Sequence, residues 1–174
     1  RGRGRLAHDL GALSGPCARV DRGPDPCSTP RMARIIEDEA GIAEVVRRAR
    51  RVAVLGIKTE AQAGQPAFDV AAYLQRAGLG VIPLPGYYPE VTRILGVPVV
   101  RTVAAAPGPI DLVDVFRRPQ DIDAHVDDLI AARPAVVWFQ LGIRNDAAAQ
   151  RLVAAGIDVV QDRCLLVDHK RWAG

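Results

Sequence analysis

The chain is poor in the residues that usually announce a chemistry. Its three cysteines, Cys17, Cys27 and Cys164, show neither CxxC spacing nor a nearby histidine cluster, and two of them fall in an irregular N-terminal stretch. A disulfide framework or a zinc site is therefore not expected. Histidine is equally scarce: His8, His125 and His169 lie far apart, and no pair of residues stands out as acid and base. No run approaches the roughly 18 apolar residues of a membrane span, and residues 1–31 lack the continuous apolar centre of a secretory signal. We read the protein as cytoplasmic. The phosphate-binding fingerprints GxGxxG and Walker A are missing too, since the glycine after Gly56 is Gly64. That absence weakens the case for an ordinary NAD or ATP site.

What is present is a chain of 174 residues, 49% hydrophobic, which suits one domain with a core of ordinary size. The formal charge of +3 is not spread along it. Six arginines and three aspartates fall in residues 1–31, leaving 17 residues of each sign in residues 32–174. A folded portion without net charge argues against a duplex-binding face. Residues 1–31 also hold five glycines and four prolines and no persistent helix or strand period. We expect this segment to be either a disordered basic tail or non-native sequence upstream of a start at Met32.

From residue 37 onward, apolar runs alternate with helical patterns. Residues 37–50 place Ile42, Val45, Val46 and Ala49 at helical spacing, with acids early and arginines late. Strands are predicted at 51–57, 79–84, 110–116, 135–140 and 157–161, and further helices at 67–76, 121–132 and 146–155. Between them, 97–100 reads as a short strand and 102–106 as about one helical turn. Strands that read as unbroken apolar runs between helices indicate a parallel sheet covered on both faces. The expected architecture is a Rossmann-like three-layer α/β domain with a mostly parallel sheet, over residues 32–174.

In such a sheet ligands dock at the carboxyl ends of the strands. The run Ile110-Asp111-Leu112-Val113-Asp114-Val115-Phe116-Arg117-Arg118 ends in two arginines, which suits an anionic small molecule. A second run, Ala135 to Gln140, opens into Leu141-Gly142-Ile143-Arg144-Asn145 before a helix. After the first strand, Lys58 and Thr59 supply a cation and a hydroxyl suited to a phosphate, although the segment reads equally well as a surface loop. Asp111 and Asp114 interrupt an apolar strand, where capping, pairing with arginines or a place at the strand end would each explain them. Arg163 beside Cys164 is a means of lowering its pKa, but a buried inert thiol is the simpler reading. His125 and His169 read as solvated or packing residues.

The segments VAVLGIKTEAQAGQPAFDVAAYLQRAGLGVIPL, IDLVDVFRRP and VVWFQLGIRNDAAAQRLVAAGIDVVQDRC together resemble the CoA-binding domain family, stand-alone relatives of the CoA-binding domain of succinyl-CoA synthetase alpha subunits. The resemblance covers roughly Arg51 to Arg171. It implies a Rossmann-type domain that binds coenzyme A with its ADP part at the strand ends. Carried over by position, Gly56, Ile57, Lys58 and Thr59 correspond to the first phosphate loop, and Pro66 and Ala67 lead into the helix behind it. Pro83 to Gly86, including Pro85, would flank the nucleotide. Phe116, Arg117 and Arg118 would meet the adenine or phosphate region, and Gln140, Gly142 and Ile143 with Asn145 would line the far side. Two positions depart from the family pattern: Lys58 stands where many members have Ser, and Pro85-Gly86 where many have Asn-Pro. No second ligase domain follows these segments, so ligase activity is not carried over. Three functions stay open: a non-catalytic CoA or acyl-CoA carrier, sensor or partner module; an NAD(P)- or nucleotide-dependent enzyme on the same fold; and a protein-interaction module with a vestigial pocket. A small-molecule ligand is expected, without a metal, a membrane or a nucleic acid, although a basic arm acting on RNA is a minor further idea. A protein partner or a homo-oligomer is compatible with the helix faces.

Overall fold

A computed structural model describes residues 32–173; residues 1–31, read above as a tail or upstream segment, lie outside the described residues. Helix α1 (Glu39–Arg48) leads into strand β1 (Arg51–Leu55), α2 (Pro66–Arg76) and β2 (Gly80–Leu84). A two-stranded antiparallel hairpin follows, formed by β3 (Arg93–Ile94) and β4 (Val97–Pro98). Then come β5 (Leu112–Val115), α3 (Val126–Ala132), β6 (Val136–Phe139), α4 (Asp146–Ala154), β7 (Asp158–Val160) and α5 (Leu165–Trp172). The main sheet has five strands in the order β2-β1-β5-β6-β7, every pairing parallel. This is the Rossmann-like α/β architecture expected from the pattern.

Strand side chains alternate between faces, so each strand feeds two cores. Val52, Val54, Leu112, Val136 and Trp138 pack with α1, α2 and α5, while Ala53, Val113, Val115, Val137 and Phe139 pack with α3 and α4. Sheet strands buried on both sides explain why β6 reads as an unbroken apolar run and why β5 is interrupted by Asp114 alone. The chain order turns back at β1 and β5: β2 lies on one side of β1, and β5, β6 and β7 follow on the other. Carboxyl ends of strands diverge at such a switch point, leaving a crevice between the loops.

Three local expectations are corrected. The helix predicted at 121–132 is broken into the 3-10 turns Pro119–Asp121 and Asp123–His125 before α3 begins at Val126. The Pro119 carbonyl accepts from the Asn145 side-chain amide at 2.9 Å as well as from the Ile122 N–H at 3.4 Å, the i+3 bond of the first turn. Residues 102–106 form turns and no helix, because the Val103 and Ala104 amides donate to the Asp128 carboxylate at 2.6 and 3.1 Å. Helix α5 was not foreseen. Its buried positions Leu165, Asp168 and His169 have helical spacing, but two of the three are polar and hide the period.

Candidate functional site

The site begins where β1 ends. Gly56 has φ +89°, and its amide donates to the Leu84 carbonyl at 2.8 Å, while the Phe116 amide donates to Leu55 at 2.8 Å. A Cβ at Gly56 would run into the Phe116 carbonyl, so only glycine lets the β1 and β5 exits lie side by side. Ile57 then drops into the core, fully buried. Lys58 is half-buried, with Nζ 5.8 Å from the centre of the Tyr88 ring. The Thr59 hydroxyl and amide both donate to Gln62 Oε1, at 2.6 and 3.1 Å, so its hydroxyl proton fastens the loop and does not face a phosphate.

Helix α2 starts with Pro66 in its first turn and has no side-chain cap. Helix α5 is likewise preceded by an N-cap residue, Cys164, that makes no side-chain capping bond. Gln65 to Ala67 and Val70 from the start of α2, Phe116 to Pro119 from the exit of β5, Gln140, Leu141 and Ile143 from the exit of β6, and Cys164 enclose a cleft of about 560 Å³. Two helix N-termini, with their partial positive charge, thus flank an opening at the switch point.

Arg117 is the central cation of this opening. Its Nη1 occupies the space that a Cβ on Gly86 would take, and its Cδ lies against Gly56. Its Cζ stacks 4.9 Å from the centre of the exposed Tyr87 ring. The Nε–H is buried and has no acceptor among the described residues. Arg118 is directed to solvent, with Nε 2.8 Å from Asp121, and that charge-assisted bond holds the Asp121 carboxyl below its usual range. His125 is held below its ordinary pKa by desolvation and, secondarily, by the Arg117 charge.

Beneath the cleft lies Asp114, fully buried on β5. Gln140 Nε2 donates to both its oxygens, at 2.9 and 3.0 Å. Desolvation dominates over that hydrogen bond and pushes the carboxyl up to about 8. Asp111 accepts from the Arg50 and Arg51 amides at 2.9 and 2.8 Å. Among the described residues neither aspartate pairs with an arginine side chain; one fastens the start of β1 and the other is sealed in the core.

Among the residues singled out from the sequence, Pro66, Ala67, Phe116, Arg117, Arg118, Gln140 and Ile143 share the cleft wall. Others are placed differently. Pro83 and Pro85 are buried at the end of β2, and the Pro83 carbonyl accepts from Val100 at 3.0 Å. Gly142 makes the turn after β6 with φ +78° and donates to Asp162 at 2.6 Å. Asn145 is a scaffold residue: its side chain accepts from Ala148 as the cap of α4 and donates to Pro119. Gln65, Val70 and Pro119 were not foreseen on the wall, and neither was Cys164, which is half-buried at the cleft. Arg163 does not serve that thiol; it binds Asp168 at 2.7 Å and Glu39 at 3.0 Å.

Residues 50–170, which contain every wall element, match the family model described as CoA binding domain. The chain belongs to the CoA-binding domain family. The Bacillus subtilis (strain 168) protein YneT is 32% identical to this family member over 131 residues, covering 75% of this chain and 93% of YneT. The Thermus thermophilus structure of cell-free ID.343 superposes with a TM-score of 0.72 at 34% identity, over 78% of this chain and 99% of that one. The dinucleotide-forming acetyl-coenzyme A synthetase 1 of Ca. Korarchaeum cryptofilum, solved with phosphate and ADP, shares the fold at a TM-score of 0.57 and 15% identity, over 67% of this chain and 26% of that one.

Proposed function

We propose that the cleft binds coenzyme A or an acyl-CoA, and that the protein acts as a non-catalytic carrier, sensor or partner module. The observation that carries this reading is Arg117: on the cleft wall its Cδ lies against Gly56 and its Nη1 against Gly86, and its buried Nε–H has no acceptor among the described residues. A buried donor left unpaired is costly, and an anionic ligand oxygen removes that cost. CoA carries a diphosphate and a 3′-phosphate, which match Arg117, Arg118 and two uncapped helix starts. The exposed Arg118 pair with Asp121 is weak enough to yield to a phosphate. Phe116, half-buried on the same wall, offers an apolar face to a base. A cleft of about 560 Å³ is within the usual range for a small-molecule site and accommodates part of so long a ligand.

A binding role is supported by how the titratable groups around the cleft are used. Asp114 is committed to Gln140, Asp121 to Arg118, and Arg163 to Asp168 and Glu39. Calorimetric titration of the full chain with CoA, dephospho-CoA and NADP tests the proposal. CoA should bind, and more weakly without its 3′-phosphate. Preference for NADP would indicate a nucleotide-dependent enzyme instead, and no heat with any of the three would indicate a vestigial pocket.

A further inference from the structure

The wall of the cleft is charged on one side only. Arg117 and Arg118 both come from the exit of β5, and among the described residues no other cation and no carboxylate belongs to the wall. The exit of β6 supplies Leu141 and Ile143, and Val70 faces the cleft from one turn into α2. Ionic groups that follow β6 and β7 are turned to other partners: Arg144 stands 3.0 Å from Asp146, and Arg163 binds Asp168 and Glu39. Gln140, next to Leu141 in the chain, directs its amide nitrogen to the buried Asp114. Leu141 itself is 69% exposed in the turn after β6, whereas Val70 is buried and Ile143 is half-buried against the core. A single exposed leucine needs no explanation, but one that extends an apolar wall into solvent leaves a contiguous surface for a ligand to cover.

Resting on the assignment of this cleft to CoA, we infer that its ligand is an acyl-CoA with an uncharged aliphatic acyl chain, and that Leu141, Ile143 and Val70 receive that chain. Phosphates are drawn to Arg117 and Arg118, which leaves the uncharged wall for the other end of the ligand. Free CoA ends in a thiol and leaves Leu141 in water. A dicarboxylic acyl group would bring a carboxylate to a wall that holds no cation for it, and its desolvation would go uncompensated. An alkyl chain carries no such cost and gains with each methylene removed from water.

Calorimetric titration of the full chain with CoA, butanoyl-CoA, hexanoyl-CoA and succinyl-CoA, at one pH and ionic strength, tests this inference. Affinity should rise from CoA to hexanoyl-CoA, approaching roughly fourfold for each methylene that is fully buried. Succinyl-CoA should bind no more tightly than CoA. In Leu141→Asn the ratio of hexanoyl-CoA affinity to CoA affinity should fall by about threefold or more. Leu141 is exposed, so that variant should keep its fold, verified by an unchanged Tm. If CoA binds and hexanoyl-CoA binds no better, if succinyl-CoA binds best, or if the ratio is the same in Leu141→Asn, the inference is overturned while the CoA reading stands. No binding of any of the four ligands would overturn both.

Discussion

Asp114→Asn should convert a pH-dependent stability into a flatter one. The carboxyl is fully buried, and its pKa is pushed up to about 8 in the folded protein, chiefly by desolvation. In the unfolded chain an aspartate titrates near 3.9. Between these two values the folded state holds a proton that the unfolded state has released, so stability falls as pH rises, by about 1.4 kcal/mol per unit. The full contribution is present below pH ~4 and is lost by pH ~8, a ceiling of roughly 6 kcal/mol. Relaxation around the ionised group lowers this to an expected loss of about 2–5 kcal/mol. Asparagine keeps the shape and the acceptor for Gln140 Nε2 but carries no proton to lose. His125 and His169, both depressed by desolvation, act in the opposite sense, adding stability as pH rises through their range. They are common to both proteins and cancel in the comparison. Urea unfolding at pH 5, 7 and 9, followed by tryptophan fluorescence, should show the variant gaining on the parent as pH rises. A difference between the two that stays constant over that range would refute a titrating Asp114.

Arg117→Ala should weaken CoA binding roughly ten- to a hundredfold, the value of a charge-assisted bond in a desolvated site, as read by calorimetry; an unchanged affinity would remove Arg117 from the site. Gly56→Ala should cost at least about 2 kcal/mol, from the left-handed backbone and the blocked approach of the Phe116 carbonyl. A fall in Tm of roughly 4–8 °C in calorimetric scanning would report it. Asn145→Ala should cost about 1–2 kcal/mol through loss of the α4 cap. Asn145→Asp should recover part of that, since it keeps the acceptor for Ala148 and loses the donor to Pro119; equal urea midpoints for all three proteins would contradict the capping role.

The five strands of the sheet were legible because each is buried on both faces, so that composition alone marks them. The exits of β5 and β6 were legible for a related reason: Arg117-Arg118 and Gly142 break apolar runs abruptly, and abrupt breaks are where chain leaves the sheet. The functions of individual polar residues were not legible in this way. Asn145 and Gln140 follow strand β6 five residues apart, yet one caps a helix and the other holds a buried acid on the cleft wall. That difference depends on partners 26 residues away in β5 and its exit, Asp114 and Pro119, and local pattern carries no information about them. Cys164 was hidden similarly, because α5 has two polar residues on its buried face and did not read as a helix whose start meets the cleft.

The absence of a dinucleotide fingerprint takes on a physical meaning once Arg117 is placed. In that fingerprint glycines let bare backbone approach a pyrophosphate. Here Gly86 leaves room for the Arg117 guanidinium, while Gly56 admits its Cδ, so that in the proposed complex a full positive charge would take the place of backbone donors. The two glycines serve it differently. At Gly56 the obstacle to a Cβ is the Phe116 backbone carbonyl, which cannot move without parting β1 from β5. At Gly86 the obstacle is Arg117 Nη1, the end of a flexible side chain, and no positive φ is involved. Gly86→Ala should therefore leave Tm within about 2 °C of the parent, as expected of an exposed substitution away from the core. It should still weaken CoA binding nearly as much as Arg117→Ala, because the displaced guanidinium no longer meets the ligand. Unchanged CoA affinity in Gly86→Ala, with Arg117→Ala defective, would show that Arg117 reaches the ligand without this slot.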